Sequence, residues 1–373
     1  MKLAGIRVVD LSNFLPGPYL SLEMADHGAE VIKVEQPGEG DPGRHIGLAD
    51  GPHTVFFRNL NRGKKSVVLD LKTEAGRARL LQLADSADVF IESFRPGVAQ
   101  RLGMDAETLR ERNPRLVYCS ISAFGQDGPC AARPAHDLAV EALSGALSLS
   151  LGADGTPAIP ALPVADLLAG LQGLSGVLMA LLRRERTGRG DRIDIAMLDC
   201  MAAALRNVTG PTFAEGRQPD PKLERTTGGS AFYRLYETRD GRHIALAGQE
   251  PKFIHALLGA LGRADLAPLV LRGPGAHQQP VMDFLADAFR QATRAEWEQR
   301  LGALDVCFGA VNTLPEAFAD AQLLARGMVL RDAEGRPHVA SPIRFLDEPA
   351  AIDLDAPALD QHRHELFSEE PHP

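Results

Sequence analysis

Two short segments carry the side chains best suited to chemistry: Ala135-His136-Asp137-Leu138, and Val164-Ala165-Asp166 directly ahead of an apolar stretch. Each sets an ionisable group at the expected N-terminus of a helix, where unsatisfied N–H groups and the macrodipole favour an anionic or neutral group. That setting is expected to lower the pKa of a carboxylic acid and of an imidazolium alike. An imidazole and a carboxylate held in this way can move a proton between them and a substrate, and helix N–H groups can polarise a carbonyl. Structural readings compete. An Asp ahead of an apolar run is most often an N-cap, and a lone His is often a hydrogen-bonded structural residue.

Glu250 is a third candidate, in Gly248-Gln249-Glu250-Pro251 between an expected strand end and a helix start. Loops of this kind carry working residues, although Pro251 in a first turn makes helix initiation an equally good account. Arg58, Arg62, Lys64 and Lys65 lie near expected strand ends, as does Arg95 in Phe94-Arg95-Pro96-Gly97. Individually they are surface charges. Together they could hold the phosphates of one bulky anion at the carboxyl edge of a sheet. The run Arg183-Arg184-Glu185-Arg186 closes a helix and is accounted for by the dipole alone.

The elements that must position these groups follow from the apolar pattern. Strands are expected at 7–11, 30–35, 66–71, 88–92 and 116–123, with helices at 19–27, 73–84 and 106–112 between them. Such alternation predicts βαβ units and a doubly wound parallel α/β sheet. His136 opens an expected helix at 137–150. Asp166 opens another at 167–182, in which Gly170, Gly173 and Gly176 form a thin stripe open to a close-packed backbone. The first turn, Asn13-Phe14-Leu15-Pro16-Gly17-Pro18, has no dinucleotide-binding glycine pattern, which argues against a nicotinamide cofactor.

Residues 206–228 read as a linker. Beyond it, strands at 231–237 and 242–247 flank Arg239-Asp240-Gly241, a hairpin signal. Helices are expected at 252–261, 281–291 and 295–301, the last with Thr293 and Glu296 spaced as a capping box. The expected organisation is a large domain over 1–205 completed by an arm at 330–373, and a smaller α+β domain at 229–329. The tail from Asp353 reads as an acidic surface arm.

With 373 residues, two domains are the natural expectation. A net charge of −9 speaks against nucleic acid as the main partner. The stretch at 167–182 is too short and glycine-rich to be expected in a membrane. Met1-Lys2-Leu3-Ala4-Gly5 does not read as a signal peptide, and Cys119, Cys130, Cys200 and Cys307 show no paired spacing. The expectation is a cytoplasmic protein with reduced thiols.

Several segments in order resemble one family: Gly28-Ala29-Glu30-Val31-Ile32-Lys33-Val34-Glu35, Asn61-Arg62-Gly63-Lys64-Lys65-Ser66, Leu69-Asp70-Leu71-Lys72, Phe94-Arg95-Pro96-Gly97 and Phe124-Gly125-Gln126-Asp127-Gly128-Pro129. These are similar to the family III CoA-transferases, a superfamily that includes α-methylacyl-CoA racemase. The resemblance runs from residue 3 to about 345 and implies an interlocked homodimer. It implies no prosthetic group, with coenzyme A present as part of an acyl-CoA thioester substrate. It places Asp166 at the shared aspartate, a nucleophile in the transferases and one of two bases in the racemases. His136 stands where transferases usually carry tyrosine, and Glu250-Pro251-Lys252-Phe253 resembles a racemase segment whose glutamate supports the histidine. The resemblance implies His136, Asp166 and Glu250 as catalytic residues, with Pro16, Arg62, Lys64, Arg95 and Asp137 toward coenzyme A. The favoured expectation is racemisation of a 2-methyl-branched acyl-CoA, and the alternative is CoA transfer through an aspartyl-CoA intermediate.

Overall fold

The computed structural model describes residues 1–152 and 154–367. The chain forms two compact units. The first holds Met1–Ser144, Pro160–Ala204 and the chain from Gln322 on, and the second holds Gly145–Ile159 and Leu205–Ala321.

The first unit is built on six strands: β1 (Arg7–Asp10), β2 (Glu30–Glu35), β3 (Lys65–Val68), β4 (Val89–Glu92), β5 (Val117–Ser122) and β6 (Arg192–Ala196). They lie in the order β3-β2-β1-β4-β5-β6, every neighbouring pair parallel. The doubly wound expectation therefore holds, with its switch point between β1 and β4. Val8, Val9, Ile32, Val89, Phe90, Ile91 and Val117 are fully buried, as strands covered on both faces require. β6 was not expected. Exposed and half-buried residues alternate along most of this edge strand, so it lacks the apolar run that marks a central one.

Helix α1 (Pro16–Asp26) follows β1, and α2 (Glu74–Asp85) and α3 (Ala106–Arg112) follow β3 and β4. Helix α4 (Asp137–Ser144) is shorter than expected, because Gly145 adopts φ 90 and ends it. Helix α5 (Val164–Thr187) is longer than expected and stops at Gly188, φ 68. Its glycine stripe meets its neighbours closely. A Cβ on Gly170 would lie 2.7 Å from the Pro16 carbonyl oxygen, and one on Gly173 2.7 Å from Leu20. Helix α6 (Met197–Ala204) packs beside it. Arg184, in the run expected to close a helix, is buried and paired with Asp88 at 2.9 Å, tying the end of α5 to the sheet.

The expected surface arm instead covers the edge of the sheet. Val68 N–H donates to Asp360 Oδ1 at 2.7 Å, Ser66 N–H to His362 Nδ1 at 3.1 Å, and Phe367 is buried in the core beside Leu80 and Leu83. An uncovered strand edge is a pairing hazard, and this segment removes it.

The second unit carries an antiparallel sheet of β7 (Arg234–Glu237), β8 (His243–Leu246) and β9 (Phe308–Ala310), with the β7–β8 hairpin turning at Gly241, φ 70. Helices α7 (Pro251–Ala260), α8 (Gln279–Phe289) and α9 (Arg294–Gly302) pack around Tyr236, Leu257, Phe289 and Trp297, and the Thr293/Glu296 capping box is formed in both directions. The expected linker is part of this unit. It includes a short helix, Gly210–Glu215, and is followed by Gly229, where a Cβ would lie 2.2 Å from the Leu223 carbonyl carbon.

Gly170→Val is expected to overpack the α1–α5 contact at a cost of about 1–3 kcal/mol. Chemical denaturation checks this, and an unchanged midpoint would contradict the backbone contact.

Candidate active site

The loop after β1 rests on a buried ionic network. Asp10 accepts hydrogen bonds from the Ser12 N–H at 2.9 Å, from the Ser12 hydroxyl and from the Ser21 hydroxyl at 2.5 Å. Lys33 donates to the Ser12 carbonyl at 2.9 Å and pairs with Asp41 at 2.7 Å, both side chains fully buried. Asp41 in turn accepts from the Phe14 N–H at 3.3 Å. Phe14 sits at φ 62, a conformation that costs a non-glycine residue energy and recurs at functional sites.

Two cavities lie beyond the carboxyl ends of the strands, on either side of the β1/β4 switch, where open α/β sheets bind ligands. One, of about 510 Å³, is lined by Leu11, Gln36, Leu71 and Arg101 among others. The second, of about 480 Å³, is lined by Phe14, Pro16, Arg95, Arg133, His136 and Asp166, with others. Asn13 and Phe94 line both, so the two are neighbours along the sheet edge. The Phe14 and His136 rings meet edge to face, with centroids 5.9 Å apart and planes at 83°.

Asp166 is not an N-cap. Pro163 holds that position, and Asp166 is the third residue of α5. The first turn is capped from outside: the Val164 N–H donates to Glu141 Oε1 at 3.0 Å, and the Asp166 N–H to Asp137 Oδ1 at 3.1 Å. Both acceptors come from α4, so the helix begun by His136 also closes the one that carries Asp166. The Asp166 carboxyl is left free in the cavity wall. Burial, followed by the charges of Asp137 and then Glu141, raises its pKa from 3.8 to about 7. The expected lowering at a helix N-terminus is thus reversed, because burial and two like charges outweigh the dipole.

The basic cluster divides. Arg62 is buried in a two-point pair with Asp26, at 3.1 and 2.6 Å, and also donates to the Val339 carbonyl at 2.7 Å. Lys64 is buried and donates to the Pro18 carbonyl, the Ser21 hydroxyl and the Asn61 side chain at 3.0, 2.8 and 3.0 Å; burial pulls its pKa down to about 7. Arg58 pairs with Asp50, and Lys65 with Glu30. The expectation that Arg62 and Lys64 face coenzyme A is therefore corrected: both are spent within the fold. Asp137 is likewise committed to α5. Arg95 is exposed at the cavity with no ion pair among the described residues. Pro16 lines the same cavity while opening α1.

Sequence reasoning missed Arg133, Phe14 and Glu141. Arg133 stacks over Phe124 at 6.0 Å. Glu141 is buried and lies one turn after Asp137, a spacing that could have flagged it. Glu250, in the second unit, is the N-cap residue of α7, but its side chain makes no capping hydrogen bond and is exposed. Among the described residues no group of three or more His, Cys, Asp or Glu is arranged to hold a metal ion.

The family pattern of CoA-transferase family III matches residues 3–363. The chain belongs to this family. It is 34% identical to a succinate–glutarate CoA-transferase of Agrobacterium fabrum, covering 98% of this chain and 95% of that one. It is also 34% identical to an alpha-methylacyl-CoA racemase of Homo sapiens, covering 98% and 90%. A crystal structure of a CAIB/BAIF family protein from Brucella suis superposes with a TM-score of 0.82 at 33% identity, over 98% of this chain and 99% of that one. The sequence resemblance to the family is thus established, and the chain is an enzyme of the family III transferase and racemase superfamily.

Arg62→Met is expected to destabilise the protein by about 3–5 kcal/mol, because Asp26 is left buried and unpaired. Arg95→Ala is expected to leave stability within about 0.5 kcal/mol and to raise the KM for an acyl-CoA. Denaturant midpoints and steady-state kinetics separate the two.

The raised pKa of Asp166 also has a sign. The native state holds a proton that the unfolded chain releases near 3.8, so this contribution to stability is full below about 4 and lost as pH rises through about 7. Asp166→Asn should therefore be more stable than the parent at pH 8, by on the order of 2 kcal/mol after allowing for partial solvent access. At pH 4 the two should be nearly equal. Thermal melts at the two pH values check it.

Proposed function

We propose that this chain is an acyl-CoA racemase that inverts the α-carbon of 2-methyl-branched acyl-CoA thioesters, with His136 and Asp166 as its two bases. One observation carries the reading: a carboxyl group with pKa about 7 in the same cavity wall as an imidazole. A racemase takes a proton from one face and returns one to the other, so its two groups must hold one proton between them in either direction. A carboxyl raised to about 7 can both hold a proton and give it up near neutral pH, as one member of such a pair must. In one direction neutral His136 removes the α-proton, the enolate forms, and protonated Asp166 delivers its proton to the opposite face. In the other direction the roles reverse. The enolate oxygen needs donors, and backbone N–H groups at a helix start suit it.

The resemblance adds support, since His136 and Glu250-Pro251-Lys252-Phe253 follow the racemase pattern. Two neighbouring cavities on either side of the strand switch suit a ligand as long as an acyl-CoA, and Arg95 suits its phosphates. A homodimer is part of the proposal. Leu138 and Leu143 on α4, and Leu171, Leu178, Met179 and Leu182 on α5, are exposed, more apolar surface than a monomer ordinarily leaves uncovered.

The second reading is a CoA-transferase with Asp166 as nucleophile, favoured by the equal likeness to the Agrobacterium enzyme. A nucleophilic carboxylate must be ionised, and at neutral pH Asp166 is only partly so. The two are separated by incubating the protein with an (R)- or (S)-2-methylacyl-CoA in deuterated water without a second acid. Deuterium at C2 with loss of stereochemical purity is expected, and His136→Ala should lower that rate by about 10²-fold or more. No exchange, together with hydroxylamine trapping of an Asp166 acyl adduct, would assign the protein to the transferases.

A further inference from the structure

Helix α5 starts without a capping side chain of its own, and its first-turn donors are satisfied by α4. An Asn or a Gln would serve there as well as an acid, since a single accepting oxygen is all that an N–H needs. Yet α4 supplies two carboxyls one turn apart, each accepting an N–H from the first turn of α5. Glu141 is almost wholly buried, so its choice over Gln carries a desolvation penalty that capping does not require.

We propose that Glu141 is a positioning residue for Asp166, tying the first turn of α5 to α4 while placing a buried acid, one turn after Asp137, against the turn that carries Asp166. The role rests on the racemase reading for its purpose, but not for its physics. Burial and the neighbouring Asp137 push the Glu141 carboxyl up, against the Val164 N–H that favours its anion. The pair keeps a negative charge behind Asp166, so that Asp166 retains a proton to deliver.

Other groups surround Asp166. His136 heads α4, and Arg95 and Arg133 face the cavity. Helix α1, packed along α5, carries Tyr19, Glu23 and Asp26. Helix α6 carries Asp199 and Cys200, and the sheet beneath carries Cys119, Arg192 and Asp194. The carboxyls whose charge raises Asp166 are the two on α4.

Infrared titration of the carboxyl bands tests this without reference to turnover. The band lost in Asp166→Asn assigns Asp166, and the band lost in Glu141→Gln assigns Glu141. Glu141→Gln keeps the accepting oxygen for Val164 and removes only the charge. It should melt no lower than the parent and lower the Asp166 midpoint by about one pH unit. Glu141→Leu should lower the melting temperature as well. In Asp137→Asn the Glu141 band should titrate at lower pH, because its charged neighbour is gone. An Asp166 midpoint unmoved in Glu141→Gln, or a Glu141 band unmoved in Asp137→Asn, overturns the proposal. If the midpoint shifts as expected but wild-type protein exchanges no α-proton, the racemase reading falls and the positioning role stands.

Discussion

The external capping of α5 by α4 is the contact on which the arrangement of the site depends. A helix that begins at Pro163 has no side chain to satisfy its first donors, and a buried, unsatisfied N–H is costly. Glu141 and Asp137 meet that need from a different helix. The consequence is geometric. His136 immediately precedes Asp137, and Asp166 is the residue whose N–H Asp137 accepts, so one hydrogen bond ties together the two segments that carry the imidazole and the carboxyl. The glycines of α5 add the second constraint, since a backbone in contact with the Pro16 carbonyl cannot slide along α1.

The opposite wall of the cavity is held by charge. Lys33, Asp41, Asp10 and Lys64 are all buried, an arrangement that rarely adds stability over apolar packing of the same volume. What it fixes here is the path of the first loop. Lys33 binds the Ser12 carbonyl and Asp41 binds the Phe14 N–H, so Phe14 keeps a left-handed conformation that its side chain disfavours. In dinucleotide-binding sheets glycines shape the corresponding turn. Here ions do that work, and an aromatic ring remains available to sit against His136.

The sheet was legible in the sequence because its central strands are buried on both faces and read as apolar runs. The capping box at Thr293, the hairpin at Gly241 and the glycine stripe were legible for a similar reason, as each is a local rule with a fixed spacing. What escaped was decided by distant partners. β6 has no apolar run because it lies at the edge, and the tail from Asp353 looked like a free arm because its partners, Ser66 and Val68, are nearly 300 residues away. The same holds at the site. His136, Asp166 and Arg95 could be named from type and position. The burial of Arg62 and Lys64 could not, since nothing near them in sequence announces Asp26 or Asp10. The Asp166 pKa was misjudged because the helix N-terminus is visible in sequence, whereas the burial and the facing Glu141 are not.

That misjudgement bears on how one family supports two chemistries. A carboxyl at a helix N-terminus, facing a thioester, is equally placed to attack the carbonyl carbon and to exchange a proton with the α-carbon beside it. Helix N–H groups alone favour the anion, and so the nucleophile. Burial and two further carboxyls favour the acid, and so the proton donor. On this view the residue at position 136 supplies the second base, but the groups behind position 166 decide whether the first is ionised. Substituting His136 alone would then remove the second base while leaving the ionisation of Asp166, set by burial and by α4, largely as it was.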